Sequence, residues 1–237
     1  MKNIKYNADV LSKTYSSTRV TWNQFYDSEK VILEKTFISK SDSILDLGCG
    51  CGGLGFALME KFGNKNYTGI DINASSTIKA RDINSLGDFY CGDILDTKFD
   101  SFVGNFDKVI SFSCIDWNIE FTRMFQRSWD FVKPGGSFIV SLRLTKDETL
   151  IDIEKSFQEI DFNFKAPYVV INFDEVLSII KSLNPSKIIG YGYWKEVIKS
   201  YGNKTVTPYD KLCFSVFSIQ KKIDTLESTV IDLNLPI

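Results

Sequence analysis

Apolar and polar positions alternate between two periods along most of this chain. Short apolar runs read as buried strands, and runs with i, i+3, i+4 spacing read as amphipathic helices. The segment 43–47 is a short apolar strand followed by a glycine-rich turn. Leu54, Phe56, Ala57, Leu58 and Phe62 then mark a helix that stops near Gly63. Tyr67–Ile70 is a second strand ending at Asp71, a helix follows over about 74–83, and Asp88–Cys91 is a third strand. Lys108–Ser113 reads as a fourth, buried strand. Phe121, Met124, Phe125, Trp129 and Val132 lie at helical spacing, Pro134-Gly135-Gly136 reads as a turn, and Ser137–Leu142 is a fifth strand.

The connection over about 143–171 is long for a loop and is expected to hold a short helix around Ile151–Ile160. Asn172 and Glu175 form a capping-box pattern before Val176, Leu177, Ile180 and Leu183. Lys187–Trp194 and Lys211–Gln220 are the last two strands, and the tail 223–237 is weakly patterned. Before the first strand, residues 1–40 read as a lead-in or lid. It has an aromatic segment (Tyr15, Trp22, Phe25, Tyr26) and a helix capped by Asp27 that turns Val31, Ile32, Leu33 and Phe37 toward a core. Alternating strands and helices predict an α/β domain over 41–222, with a mostly parallel sheet covered by helices on both faces. Ligands of such sheets bind beyond the carboxyl ends of the strands, where the strand order reverses. The turn from Gly48 to Gly55 is therefore the natural binding site.

Composition narrows the classes. The chain has 237 residues, 43% hydrophobic and 24% charged, which suits one folded domain. A formal charge of −2 without a long basic run argues against nucleic acid. No apolar run reaches membrane-spanning length, and Met1–Val10 has no signal core. Five irregularly spaced cysteines suggest reduced thiols in a cytoplasmic protein. Histidine is absent, which removes the commonest general base and metal ligand, so no metal site is expected. Cys49 and Cys51 lack the partners a zinc site needs and read as small side chains in a crowded turn.

Gly48, Gly50 and Gly53 match dinucleotide-binding spacing, so the glycines alone do not select the cofactor. Asp46 does discriminate, because a carboxylate two residues before Gly48 would repel a pyrophosphate on the turn. S-adenosylmethionine (SAM) instead presents an ammonium and a sulfonium. Asp71, 23 residues after Gly48, can accept bonds from ribose hydroxyls. Asp93, in Cys91-Gly92-Asp93-Ile94, can accept from an adenine amino group, with Ile94 against the ring.

Ile44-Leu45-Asp46-Leu47-Gly48-Cys49-Gly50 resembles the first motif of class I SAM-dependent methyltransferases. Asp71, Gly92-Asp93, Phe106-Asp107-Lys108-Val109-Ile110 and Lys133-Pro134-Gly135-Gly136 are similar to the later motifs, in order. The resemblance spans about residues 40–145 and implies a Rossmann-like seven-stranded sheet of order 3-2-1-4-5-7-6 with strand 7 antiparallel. It implies cofactor contacts at Asp46, Gly48, Cys49, Gly50, Asp71, Ile72, Gly92, Asp93, Ile94 and Ser111, and Arg19 could reach the SAM carboxylate from the lid.

The stretch after the fourth strand, Ser111-Phe112-Ser113-Cys114-Ile115-Asp116-Trp117, should border the acceptor. Asp116 is the preferred catalytic base, its competing role being a helix cap. Arg143 could pair with an acidic acceptor or be a surface charge. The Asn/Asp-Pro-Pro-Tyr/Phe stretch of methyltransferases acting on bases and amides is missing. The expectation is a metal-independent, O- or N-directed methyltransferase of a small molecule, a monomer or homodimer. An NAD-type oxidoreductase and a non-catalytic SAM-binding subunit are the alternatives.

Overall fold

The computed structural model describes residues 16–161, 164–198, 205–224, 226 and 228–237. Helix α1 (Asp27–Lys35) precedes β1 (Ile44–Leu47). Then α2 (Gly53–Phe62), β2 (Tyr67–Asp71), α3 (Ala74–Ile83), β3 (Asp88–Cys91), β4 (Phe106–Ser111), α4 (Phe121–Asp130) and β5 (Val132–Thr145) alternate. An insertion carries β6 (Phe157–Asp161) and β7 (Phe164–Pro167). After it come β8 (Ile171–Asn172), α5 (Phe173–Ser182), β9 (Lys187–Glu196), β10 (Thr205–Val206), β11 (Lys211–Gln220) and β12 (Val230–Asn234).

The main sheet runs β12-β9-β11-β5-β4-β1-β2-β3, with β8 paired to β5. Its central seven strands have the expected order, with β11 antiparallel to both β5 and β9. The strand order reverses between β1 and β4, so the ends of β1, β2 and β4 converge on one crevice. Both faces are apolar and covered. Phe121, Phe125, Val140 and Phe217 belong to one core cluster, while Ile32, Leu33, Leu58 and Ile110 belong to the other.

Several local expectations are corrected. The weakly patterned tail contains β12, an edge strand parallel to β9. Leu233 and Leu235 seat where Gly190 and Gly192 have no side chains, a complementarity invisible to periodicity. The helix expected over Ile151–Ile160 gives way to β6, which pairs with β7 and β10 in a separate three-stranded sheet. β7 is its immediate neighbour in sequence, but β10 lies more than forty residues on, so no local period announces that pairing. Pro134-Gly135-Gly136 is an irregularity inside β5 rather than a turn before it, and the register with β4 shifts there.

The last correction concerns the lead-in. Asp27 is the first residue of α1, whose cap is Tyr26. Glu29 Oε2 accepts the Tyr26 amide at 2.8 Å. Ile32 and Leu33 are buried, but Phe37 is 84% exposed, because the chain leaves the helix there with φ +53°. At α5, Asn172 accepts the amides of Asp174 and Glu175. Glu175 does not complete the expected box and accepts from Thr149 instead.

Candidate functional site

The turn after β1 is shaped by two needs. Gly48 has φ +75°, and a Cβ there would stand 2.5 Å from Cys114 Sγ, so only glycine suits both the backbone and the packing. The Gly48 and Cys49 amides donate to the Ile70 carbonyl, fixing the turn to the end of β2. Gly50 N–H donates to Asp71 Oδ2 at 2.9 Å, and Asn73 N–H donates to Asp71 Oδ1 at 2.8 Å. Gly53 accepts the lead-in, since its missing side chain leaves room for the backbone of Arg19 and Val20.

These elements border a cavity of about 890 Å³. Its wall includes Asp46, the glycine turn with Cys49 and Gly50, Asp71-Ile72, and Gly92-Asp93-Ile94. It also includes Asp116, Trp117, Arg143 and Tyr168, with Gln158 and Ile160 from the insertion. Arg19, Phe25, Tyr26 and Glu29 of the lead-in contribute a further wall. Tyr15, part of that aromatic segment, lies outside the described residues.

Eleven of the twelve sequence-designated residues thus line one cavity, Ser111 being the exception. Ser111 is fully buried at the end of β4, and Phe112, Ser113 and Cys114 take the cavity wall instead. Ser113 has φ +51°, which redirects the chain just after the strand. Arg19 lies on the wall, but its Nη2 sits 2.9 Å from Glu29 Oε1 and its guanidinium 4.6 Å from the Phe25 ring centroid. Asp93 Oδ1 accepts from Leu95 N–H at 3.0 Å.

The acids of the site are buried and individually held. Asp46 accepts from the Tyr67 hydroxyl. Burial pushes its carboxyl up from 3.8 to about 7, against the opposing effects of that hydrogen bond and of Arg19. Burial likewise raises Asp71, against the two backbone amides it accepts. Asp116 is 4% exposed and does not cap a helix; it lies inside a short turn over Ile115–Trp117. Its Oδ2 is 3.2 Å from Arg143 Nη2, and burial raises its carboxyl despite that cation.

These shifts set a pH dependence. Between about 4 and about 7 the folded chain holds a proton on Asp46 that the unfolded chain has released, so stability falls as pH rises through this window. Melting temperature followed across the range should decline, with a shallower slope in Asp46→Asn. Identical slopes in both proteins would remove Asp46 as the cause.

Several residues of the site carried no reading as such. Tyr67 reaches Asp46 only because β1 and β2 are neighbours. Glu29 is fully buried, and no capping-box residue type three positions before it marks it in the sequence. Tyr168 stacks on Arg143 from within the insertion, 3.7 Å from ring centroid to guanidinium carbon.

Comparison with known proteins agrees with this fold. A family model described as a methyltransferase domain matches residues 38–199. The chain is 25% identical over 182 residues to a phosphoethanolamine N-methyltransferase of Plasmodium falciparum, covering 73% of this chain and 65% of that protein. It is 29% identical over 106 residues to a trans-aconitate 2-methyltransferase of Deinococcus radiodurans, covering 44% of this chain and 39% of that protein. The chain spans about half the length of the curated relatives it matches. Among solved structures, phosphoethanolamine N-methyltransferase 2 of Haemonchus contortus, in complex with phosphomonomethylethanolamine and S-adenosylhomocysteine, superposes with a TM-score of 0.64 at 15% identity. That match covers 92% of this chain and 58% of the other. Motif order, sheet topology and family match agree: the chain belongs to the class I SAM-dependent methyltransferases.

Proposed function

We propose that this protein transfers a methyl group from SAM to an oxygen or nitrogen of a small-molecule acceptor, without a metal. The observation that carries the reading is the continuity of one cavity from the glycine turn to Asp116. The residues present fit the donor. The space beside Gly50 is open, with no atom within 4 Å of where a Cβ would stand, and Asp71 presents a buried carboxylate there. In this reading the turn and Asp46 hold the methionine end, Asp71 the ribose hydroxyls, and Asp93 with Ile94 the adenine.

SAM supplies an electrophilic methyl carbon, whose bond to sulfur breaks as the acceptor lone pair bonds to it, the electron pair staying on sulfur. The acceptor proton passes to Asp116 and then to water. Burial has raised the proton affinity of Asp116, which suits a base that must take a proton from a weak acid. The apolar and aromatic walls exclude water and keep the acceptor in line. Metal independence is supported by the absence of histidine and by the donors that hold three of the cavity acids: Tyr67 on Asp46, backbone amides on Asp71, Arg143 on Asp116. We further read the protein as cytoplasmic, a monomer or homodimer acting on neither nucleic acid nor membrane. Its five cysteines are free thiols, its formal charge is −2, and no helix among the described residues is long and apolar enough to cross a membrane.

Titration calorimetry tests the donor assignment. SAM and S-adenosylhomocysteine should bind, NAD should not, and EDTA should change neither binding nor turnover. Asp71→Ala should weaken SAM by about 1–3 kcal/mol, the worth of a charged acceptor to buried hydroxyls. NAD binding without SAM binding would favour an oxidoreductase, and unchanged affinity in folded Asp71→Ala would remove Asp71 from the site.

A further inference from the structure

The arginines on the cavity wall are already paired with carboxylates. Arg143 is 4% exposed, and its Nε donates to the Val169 carbonyl at 3.1 Å. Its Nη2 donates to the backbone carbonyl of Asp116 and lies 3.2 Å from Asp116 Oδ2. The guanidinium carbon sits 4.4 and 3.7 Å from the ring centroids of Trp117 and Tyr168. Arg143 thus ties β5 to the chain leaving β4 and to the insertion. The other arginine on the wall, Arg19, is paired with buried Glu29. Lys195 is half-buried and holds its ammonium over the rings of Tyr26 and Phe214.

Asp116 differs from these cations. One carboxylate oxygen faces Arg143, while Oδ1 is buried and accepts no hydrogen bond among the described residues. An ionised carboxylate has several acceptor positions, and a buried one left unpaired is costly. The site therefore has acceptor capacity to offer a ligand at Asp116 Oδ1, while each arginine on the wall already faces a carboxylate. The rings of Trp117 and Tyr168 beside it favour a flat apolar frame.

We propose that the acceptor is an aromatic alcohol or amine whose neutral O–H or N–H is held by Asp116, and not a carboxylate or phosphate. Arg143 is then a positioning residue that orients Asp116, rather than a receptor for an anion. The proposal rests on the methyl-transfer reading above, and its failure can be told apart from the failure of that reading.

The test uses phenol, aniline and benzoate, which share one ring and differ in the group offered. Each is titrated into the full chain saturated with S-adenosylhomocysteine, and binding is read by NMR. Phenol and aniline should bind at least about tenfold more tightly than benzoate, a difference of roughly 1.4 kcal/mol. Asp116→Ala should abolish that preference while S-adenosylhomocysteine affinity persists. Benzoate binding as well as phenol, no binding of phenol or aniline at millimolar concentration, or an unchanged preference in Asp116→Ala would each overturn the proposal. If Asp116→Ala does not fold, the wild-type ranking alone decides. S-adenosylhomocysteine binding in the same samples reports separately on the methyl-transfer reading.

Discussion

Turnover of Asp116→Asn on the true acceptor is expected to fall by about 10²–10⁴-fold, the usual worth of a positioned base. SAM affinity should barely change, because Asp116 is not among the groups assigned to SAM, and Asp71 keeps its bonds to the amides of Gly50 and Asn73. The structure adds a second consequence. Asparagine cannot neutralise Arg143, which is buried and paired with this carboxylate. Removing one member of a buried ion pair costs about 3–5 kcal/mol when nothing replaces it, and the amide oxygen will offset part of that. Stability and turnover must therefore be measured together, with assays well below the melting temperature. A folded variant that binds SAM normally and turns over at the wild-type rate would exclude the base role. Catalysis would then rest on proximity, with the proton leaving directly to water.

Gly48→Ala should be the most damaging conservative change in the cofactor half of the site. The residue has φ +75°, where a side chain costs about 1–2 kcal/mol. The added methyl would also stand 2.5 Å from Cys114 Sγ, and such overpacking costs about 1–3 kcal/mol. Together they predict a loss of about 2–5 kcal/mol in stability, read by denaturant titration. The turn must shift to relieve the contact, and its hydrogen bonds to Ile70 move with it, so SAM binding should fall as well. In a Cys114→Gly background Gly48→Ala should cost less, because Sγ and Cβ of Cys114, at 2.5 and 2.6 Å from the new methyl, are both gone while the backbone strain remains. If the single variant is as stable as the parent, the turn is more compliant than its geometry implies.

Much of the cofactor end was legible because its signals are local. A strand, a glycine turn and a helix follow one another directly in sequence, and Asp46, Asp71 and Asp93 stand at or beside strand ends. Parallel strands of one sheet bring their carboxyl ends to the same edge, so residues at those ends become neighbours without further information. Ser111 failed this logic by a small margin. It is the last residue of β4, where alternation points its side chain into the buried interior, and the left-handed Ser113 turns Cys114 toward Gly48. One position along a strand reverses the face, which no compositional signal reports.

From the sequence alone follow the α/β class and the glycine turn, which depend on local period, and the family, which the motif order carries and whose resemblance implies the order of seven strands. The tertiary structure alone decided the partnerships that give the site its electrostatics. Tyr67 meets Asp46 across adjacent strands, Arg19 meets Glu29 between the lead-in and α1, and Arg143 joins Asp116 to Val169 across the insertion. It also decided that Val230–Asn234 adds an edge strand beside β9 and that β10 joins β6. These features share a physical cause. Each depends on hydrogen bonds and burial between segments distant in the chain, so the energy that selects them appears only after the sheet has assembled.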